Sequence, residues 1–228
     1  MKVSIVTPVN NEEELLEKNV GIISNYVKKN IGDFEYLIVE NGSTDHTLEI
    51  ANRLARRNRR VRVFRIPERS LGRGLRTGFQ NARGDFVVWY PIDLAIRLDF
   101  IKNSIKDING YDAVIGSKDH PQTKLTRPFM RKLSSKTYNL LINLLFHIGF
   151  SDTQCVKTFR RKPLQEILPE VKTNDMNFEV ELLYRARRHR LKMLEYPVEI
   201  HDTRKDSKIR PLDFMKTALR LFLLRLKV

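Results

Sequence analysis

Several features are scarce in this chain of 228 residues, and each scarcity narrows the class of protein. The single cysteine, Cys155, excludes a disulfide framework and fits a reducing compartment. No apolar stretch reaches the roughly 18 residues that a membrane-spanning helix requires. The N-terminal segment Met1–Val6 leads directly into a predicted strand and does not have the pattern of a signal peptide. We therefore expect a cytoplasmic protein built around a single large core.

Acidic residues are also scarce relative to basic ones. The chain has 42 Lys and Arg against 27 Asp and Glu, a formal charge of +15. Such a charge attracts polyanions, among them nucleic acids, anionic membranes and phosphorylated substrates. A nucleic-acid-binding module would interleave base-stacking aromatic residues with its cations, and the sequence has no such cluster. We therefore expect no nucleic acid partner, and the other two kinds of polyanion stay open.

The first half of the chain alternates short apolar runs with amphipathic segments. This order predicts an α/β fold with a mostly parallel central sheet and helices on both faces. Helices are predicted over Glu12–Lys29, after a cap at Ser43 or Thr44, over Arg73–Ala82 and over Leu98–Asn109. Strands are predicted over Val3–Pro8, Phe34–Val39, Val61–Ile66, Phe86–Tyr90 and Ala113–Ile115.

The second half is more helical and ends in an amphipathic segment. We expect a main domain over residues 1–210 and a C-terminal helix over 211–228. That helix has cations on one side and apolar residues on the other, which indicates either an interfacial helix on a membrane or a helix docked on the domain's own core. The apolar run 140–146 favours the membrane. The predicted elements are a helix over 127–148, an extended segment over Ser151–Phe159, a helix over Phe178–Arg188, a strand over Met193–Glu199 and a helix over Pro211–Lys227.

Polar residues follow two of the apolar strands directly. Glu40 and Asn41 end the second strand, and Asp93 follows the fourth. Since ligands bind outside the carboxyl ends of strands in open α/β sheets, these side chains are expected at one crevice. There Asp93 could hold Mg²⁺ or Mn²⁺ against a diphosphate, or it could cap the next helix.

The first strand is followed by a similar polar group, formed by Pro8, Asn10 and Glu12. Carboxylate and amide groups at strand ends can bind the ring N–H of a base and the hydroxyls of ribose. The alternative is that Asn10, Asn11 and Ser43 are helix N-caps. Together with Asp93, these residues favour a nucleotide site.

Short motifs through nearly the whole chain resemble the polyprenyl-phosphate type of family 2 glycosyltransferases, which includes the dolichyl-phosphate glucosyl- and mannosyltransferases. Each motif is weak alone, but their common order is specific, and Ser151–Cys155 is the most diagnostic. The matching segments are Ser4–Pro8, Asn11–Glu12, Val39–Asp45, Leu71–Gly74, Thr77–Gly78, Ala82–Asp85, Asp93–Ala95, Ile115–Lys118, Ser151–Cys155, Lys157, Phe159–Arg160, Val180–Leu183, Glu195–Val198, Arg204 and Ser207–Lys208.

This resemblance implies a GT-A-type nucleotide-binding fold and transfer of a hexose from a nucleoside diphosphate sugar to dolichyl or polyprenyl phosphate. With the amphipathic C-terminal helix and the apolar run 140–146, we expect peripheral attachment at the cytoplasmic face of a membrane, where a partner subunit is an alternative source of the membrane anchor. Asp93 and Asp152 would be catalytic, and Asp93 would hold the Mg²⁺ or Mn²⁺. The donor would meet Pro8, Asn10, Glu12, Glu40, Asn41 and Arg73, and the acceptor or its phosphate would meet Arg127, Arg131, Ser135, Arg204 and Lys208.

The sequence departs from the pattern of the family in three motifs. Pro91 replaces the first acid of the metal motif, the base-binding turn has Glu40 and Asn41 where the family pairs two acids, and Val156 replaces a glycine. Two other readings stay open: a soluble sugar transferase with a non-lipid acceptor, and a relative that binds nucleotide sugar without turning it over. In the soluble enzyme the apolar stretches 140–146 and 212–226 would be buried core.

Overall fold

The computed structural model describes residues 1–123, 129–200 and 211–228, and it describes the side chains of these ranges except 129–136 and 211–217. The sheet has strand order β3-β2-β1-β4-β6-β5-β7. Only β6 runs antiparallel to its neighbours within this described part. The strands are β1 (Lys2–Val9), β2 (Asp33–Asn41), β3 (Val61–Ile66), β4 (Phe86–Trp89), β5 (Ala113–Ser117), β6 (Lys157–Arg160) and β7 (Met193–Pro197).

Helices cover both faces of this sheet, as expected from the alternation of the sequence. They are α1 (Leu16–Asn30), α2 (Thr47–Arg57), α3 (Leu71–Asn81), α4 (Asp99–Asp107), α5 (Phe129–Phe146), α6 (Arg161–Ile167), α7 (Phe178–Arg188) and α8 (Pro211–Lys227), with a short 3-10 turn at Leu168–Glu170. Successive side chains of a strand point to opposite faces. Val3 and Ile5 of β1 therefore pack with α1 and α4, whereas Val6 packs with α3 and α7.

The second half of the sheet was predicted less well than the first. The segment Ser151–Phe159 was expected to be extended throughout, but only Lys157–Arg160 forms a strand, and it inserts between β4 and β5. Helix α6 follows at once and was not predicted, because its seven residues give too short an apolar pattern. The prediction of a mostly parallel sheet is confirmed.

Helix α8 packs against α5, on the side of the sheet where Val6 packs with α3 and α7. Leu221 and Leu224 are buried there beside Ile142 and Phe146 of α5. Helix α8 is therefore docked on its own domain by one face, as one of the two readings of the sequence expected. Its other face carries the apolar residues discussed below, so docking does not account for the whole helix.

Candidate active site at the carboxyl ends of the strands

Two loops meet where β1 and β2 end, and Asn10 joins them. Its side-chain amide donates to the backbone carbonyls of Asn41 at 2.8 Å and Gly42 at 3.1 Å. Gly42 has φ of +66°, and a Cβ there would lie 2.9 Å from backbone atoms of the segment that leads to α3. This crossing of backbones explains the glycine. Asn10 and Asn41, predicted from separate motifs, therefore lie in direct contact.

The residues after Asn10 extend this connection. The backbone amide of Asn11 donates to the Ser43 hydroxyl at 3.1 Å. The side-chain Oδ1 of Asn11 accepts from the Thr44 backbone amide at 2.8 Å. The amide of Glu12 donates to the Thr47 hydroxyl at 2.8 Å. Asn11 adopts φ of +54°, a conformation that asparagine tolerates better than most residues. The two loops form one rigid rim.

The helix-capping alternative for these residues is wrong. Helix α1 begins at Leu16, four residues after the predicted start, and α2 begins at Thr47. Neither Asn10 nor Asn11 caps α1, and neither Ser43 nor Thr44 caps α2, because their polar groups bond across the two loops instead. The polar residues after β1 and β2 therefore shape the rim of the crevice.

Helix α3 approaches this rim unusually closely. A Cβ at Gly74 would lie 3.1 Å from Pro8, and one at Gly78 would lie 2.2 Å from Val6. The N-cap of α3 is Ser70, whose backbone amide donates to the Asn41 side chain at 2.6 Å. The glycines on the inner face of α3 therefore bring Pro8, Asn41 and the start of the helix together.

A cavity of about 310 Å³ opens at the start of α3. Arg73 lines it, and its guanidinium lies 3.6 Å from the Glu68 carboxylate. The remaining lining residues are Ser70, Thr173, Asn174 and Asp175. Helix α3 was predicted to start at Arg73, and its actual start at Leu71 places Arg73 in the first turn. A cation in this position suits a phosphate.

Glu40 is the most buried of the predicted donor residues, with 1% of its surface exposed. Its Oε1 accepts from the Ser43 amide at 2.5 Å. Its Oε2 lies 3.4 Å from Nε of the exposed Arg65 and has no hydrogen-bond partner among the described residues. A buried carboxylate oxygen without a partner is costly. A ring N–H of a bound base would satisfy this atom.

Asp93 follows β4, the strand that neighbours β1 on the opposite side from β2. The sheet continues one residue past β4, because the Tyr90 amide donates to the Val6 carbonyl at 3.1 Å. Asp93 is partly buried, and its Oδ1 accepts from the Ala95 amide at 3.0 Å. It does not cap α4, whose N-cap is Leu98. The predicted alternative of a helix cap is therefore wrong, and Asp93 follows β4 at the same edge of the sheet at which the parallel strand β1 ends.

The residues around Asp93 fit a metal ion of one particular kind. Pro91 offers no side-chain oxygen, and no group of three or more His, Cys, Asp or Glu side chains within residues 1–123, 129–200 and 211–228 is placed to hold an ion. Mg²⁺ commonly binds through one or two carboxylates and takes its other ligands from substrate phosphates and water. One carboxylate therefore fits an ion that arrives with a diphosphate.

Asp152 belongs to the segment between α5 and β6, lies beside the end of β5 and is almost fully buried, with 2% exposed. Its Oδ2 accepts from the Lys118 backbone amide at 3.1 Å and lies 3.3 Å from the Lys118 ammonium. Its Oδ1 accepts from the Gln154 amide at 2.9 Å. Lys118 belongs to the matching segment Ile115–Lys118, but the sequence did not predict a role for it. A local signal existed, since the motif places a cation directly after a strand.

The predicted acceptor residues cannot be compared with this geometry. Arg127, Arg204 and Lys208 lie outside the described residues, and Arg131 and Ser135 belong to α5, in a part whose side chains are not described. Their assignment stays a prediction. A second cavity, of about 280 Å³, lies at the other edge of the sheet between α4 and β7, and it contains none of the predicted residues.

Helices α5 and α8 expose an apolar surface that residues 1–123, 129–200 and 211–228 do not cover. Leu140 and Leu144 of α5 are each 70% exposed, and α8 contributes the other four members. We call the six residues Leu140, Leu144, Leu219, Phe222, Leu223 and Leu226 the α5/α8 face. Arg220, Arg225 and Lys227 are exposed on the same helix. Among the described helices, none is both long and apolar enough to cross a membrane.

A comparison of the sequence with protein families decides the class of this site. The model of Glycosyl transferase family 2 matches residues 4–168, which include most of β1, all of β2 to β6, and Asp93 and Asp152. The chain belongs to glycosyltransferase family 2. The family predicted from the ordered motifs is therefore confirmed, and the protein is a glycosyltransferase.

Two curated relatives are similar to this glycosyltransferase. Glycosyltransferase AglD of Haloferax volcanii is 32% identical over 206 residues, which cover 87% of this chain and 33% of AglD. The chain thus spans about a third of that relative. The dolichyl-phosphate beta-glucosyltransferase ALG5D of Trichomonas vaginalis is 30% identical over 235 residues, covering 96% of this chain and 71% of the relative.

The fold of this glycosyltransferase is also found among solved structures. Glucosyl-3-phosphoglycerate synthase from Mycobacterium tuberculosis, in complex with Mn²⁺, uridine diphosphate and glucosyl-3-phosphoglycerate, superposes with a TM-score of 0.71. The match covers 98% of this chain and 79% of the other, at 18% identity. At that identity the likeness shows the fold alone. The predicted GT-A-type fold is confirmed.

Proposed function

We propose that this glycosyltransferase moves a hexose, with inversion, from a nucleoside diphosphate sugar of the UDP-glucose or GDP-mannose type to dolichyl or polyprenyl phosphate at a membrane surface. One observation carries the lipid acceptor: the α5/α8 face exposes six large apolar side chains on a family 2 glycosyltransferase domain. Exposed apolar patches on soluble domains mark interaction surfaces. The name of the dolichyl-phosphate glucosyltransferase relative supports the same acceptor.

The donor would lie along the rim formed by the loops after β1 and β2. The unpartnered Oε2 of Glu40 would accept from a base N–H, and Pro8, Asn10, Glu12 and Asn41 would shape the nucleoside site. Arg73 at the start of α3 would meet phosphate. Asp93 would hold Mg²⁺ or Mn²⁺, which when bound stabilises negative charge on the diphosphate.

The chemistry would be a displacement at the anomeric carbon. An oxygen of the acceptor phosphate forms the new C–O bond while the bond to the nucleoside diphosphate breaks, and the bonding pair leaves with the diphosphate. A phosphate monoester has a second pKa near ~6, so the acceptor is largely a dianion at neutral pH and needs no strong base. Asp152, ion-paired with Lys118, would therefore position groups and balance charge.

The membrane partner would be an anionic lipid surface. The α5/α8 face would enter the interface, and the exposed Arg225 and Lys227 would meet lipid phosphates. Arg127, Arg131, Ser135, Arg204 and Lys208 are proposed to bind the acceptor phosphate or the membrane. The proposed location is the cytoplasmic face, with residues 1–210 as the catalytic domain and 211–228 as the interfacial helix. A separate anchoring subunit is proposed only if the isolated chain does not bind vesicles.

Two alternatives differ from this proposal in one feature each. A soluble sugar transferase would bury its apolar stretches, whereas Leu140, Leu144 and four residues of α8 are exposed. A relative without turnover would retain nucleotide binding, and Pro91 is the position that favours it.

A donor screen tests the proposal. Radiolabelled UDP- and GDP-sugars are incubated with polyprenyl phosphate in vesicles and with Mg²⁺ or Mn²⁺, while nucleotide binding is measured separately. We expect transfer from one of these donors. Nucleotide binding without transfer from any donor would contradict the proposed reaction and favour the degenerate relative.

A further inference from the structure

A second pair of opposite charges lies buried beneath Asp152, and the proposed chemistry does not use it. Lys157 of β6 is 1% exposed and Glu179 of α7 is 3% exposed. The Lys157 ammonium contacts Glu179 Oε1 and donates to the Cys155 carbonyl at 2.6 Å. It also lies 5.8 Å from the centre of the Trp89 ring. The pair thus links β6, α7 and β4 at one point.

Stability alone does not explain this pair. Removing two charges from water costs more than their attraction commonly returns, and well-packed apolar residues of similar volume are often as stable or more so. Burial raises the pKa of the Glu179 carboxyl, and the attraction of Lys157 offsets only part of that effect. A buried ion pair is therefore weak evidence for a role in stability, and its contacts indicate another role.

The contacts of the pair lead to Asp152. Lys157 holds the carbonyl of Cys155, which belongs to the same turn as Asp152 and Gln154. The side-chain amide of Gln154 is also held, since its Nε2 donates to the Tyr138 hydroxyl at 3.2 Å and to the Met176 carbonyl at 3.3 Å. Met176 lies three residues before Glu179, so Gln154 and Lys157 attach the turn to the same end of α7.

Above the turn, the Asp152 carboxylate is fixed from two directions. Lys118 approaches it from the end of β5 and Gln154 from within the turn. The Lys118 ammonium also donates to the Gln154 carbonyl at 3.4 Å, one residue before the Cys155 carbonyl that Lys157 holds. The two ion pairs therefore hold adjacent carbonyls of one turn, with the partly buried Lys118 on one side and the buried Glu179 on the other.

We propose that Lys157 and Glu179 are a positioning pair. They hold the turn 152–155 so that Asp152 and Lys118 keep the geometry that sugar transfer requires. The pair touches neither substrate, so it acts on the transfer step and not on the binding of the donor nucleotide. This rests on the proposed function in one respect only, the placement of Asp152 at the reacting centre.

The test is a double replacement of the pair, Lys157→Met with Glu179→Leu. Because the charges are removed together, we expect a thermal midpoint at or above that of the wild type. The kcat for transfer should fall about 10- to 100-fold, as for small displacements of a positioned group, while the KM for the donor stays within about twofold. A single Lys157→Met change leaves Glu179 charged and buried and is expected to unfold the domain.

The Arg62–Glu35 pair provides a matched control. It is also largely buried, with 2.7 Å between Arg62 and the Glu35 carboxylate, but it lies near the amino end of β2, away from the crevice. Replacing it by Arg62→Met with Glu35→Gln should leave kcat unchanged. A folded Lys157→Met/Glu179→Leu enzyme with wild-type kcat would overturn the proposal, as would equal losses in kcat and in nucleotide affinity.

Amide hydrogen exchange gives a readout that needs no activity. The backbone amides of Lys118 and Gln154 both donate to Asp152. In the folded double variant both should exchange at least about tenfold faster, while amides of β1 and β2 keep their rates. Unchanged exchange at both positions refutes the positioning role. If the wild type transfers no sugar, the proposed function fails, and the exchange rates still decide the role of the pair.

Discussion

The two sides of the crevice are held together by different kinds of contact. On the donor side, Asn10, Asn11 and Ser43 join two loops through neutral hydrogen bonds between side chains and backbone. On the far side, Asp152 and Lys118 form an ion pair above the buried pair of Lys157 and Glu179. Neutral bonds fix the shape of a pocket, whereas paired charges also set the electrostatic field at the point of reaction. We infer that the donor side fixes the shape of the nucleotide site, whereas the far side sets the electrostatic field at the reacting centre.

The largest effect is expected where the two sides meet, at Asp93. Replacing Asp93 by Ala removes the only carboxylate proposed to hold a metal against the diphosphate, so the kcat for transfer should fall at least about a hundredfold. Steady-state kinetics measures this. The control is Asp33→Ala, at the exposed first position of β2, which should leave turnover unchanged. Wild-type turnover in Asp93→Ala would refute its assigned role.

The α5/α8 face should give the next largest effect. Leu219→Ser with Phe222→Ser removes two exposed apolar side chains, 60% and 52% accessible, from the proposed interface. Burial of such a side chain is worth about 1.5–3 kcal/mol, so vesicle binding should weaken more than tenfold. Co-sedimentation with anionic liposomes measures it. Ile22→Ser, a 38% exposed position on α1, is the control, and equal losses in both variants would exclude this face.

Charge outside the crevice is expected to contribute to stability rather than to turnover. Burial raises the pKa of the Glu35 carboxyl, but hydrogen bonds from Ser4, Arg62 and the Arg83 amide outweigh it and hold the pKa below its usual value. A carboxyl with a lowered folded-state pKa stabilises the fold above about pH 4.5. That contribution is lost as the pH falls through the folded-state pKa.

Glu35→Gln should therefore lower the free energy of unfolding by about 1–3 kcal/mol at neutral pH. The difference from the wild type should shrink steadily below about pH 4.5. Urea denaturation at a series of pH values measures both. A difference that is constant from pH 3 to pH 7 would show that the carboxylate charge is not the cause.

The smallest measurable effect is expected from the donor-side rim. Asn10→Ala removes two hydrogen bonds between the loops. It should lower the free energy of unfolding, measured by urea denaturation, by about 1–2 kcal/mol. It should also weaken binding of the donor nucleotide. Asn25→Ala, at an exposed position on α1, is the matched control. A stability change of the same size in both variants would mean that the Asn10 bonds contribute nothing specific.

The thiol of Cys155 should be unreactive in the folded protein. Burial raises the pKa of its thiol to about 12, so the reactive thiolate is absent at neutral pH. The native protein should not react with a thiol reagent, and the unfolded protein should react fully. Rapid labelling of the native protein would mean that the turn 152–155 opens readily, against the account of a fixed Asp152.

The sequence predicted the donor side of the molecule better than the far side. The ends of β2 at Asn41 and of β4 just before Asp93 follow from local apolar patterns, so the positions of these residues along the strands were predicted. The bonds of Asn10 and Ser43 were not predicted. Local rules predicted that these side chains cap helices, whereas they bond to residues about 31 positions away along the chain.

The far side depends on pairings that no local pattern encodes. Strand β6 enters the sheet antiparallel between β4 and β5, and only this insertion brings Lys157 to Glu179. A charge within a strand is ordinarily exposed, so periodicity gives no reason to bury either residue. The residues of the α5/α8 face were predicted to be apolar. The sequence alone did not show that they are exposed, because that depends on which face of α8 packs against α5.

The measurement that tests the central claim most directly follows the label from donor to product. Vesicles that contain polyprenyl phosphate are incubated with the enzyme, Mg²⁺ and radiolabelled nucleotide sugar, beside a parallel reaction that offers only water-soluble acceptors. We predict that label enters the lipid phase only when polyprenyl phosphate is present, and that Asp93→Ala abolishes it. Transfer to the water-soluble acceptors with no lipid-linked product would contradict the account.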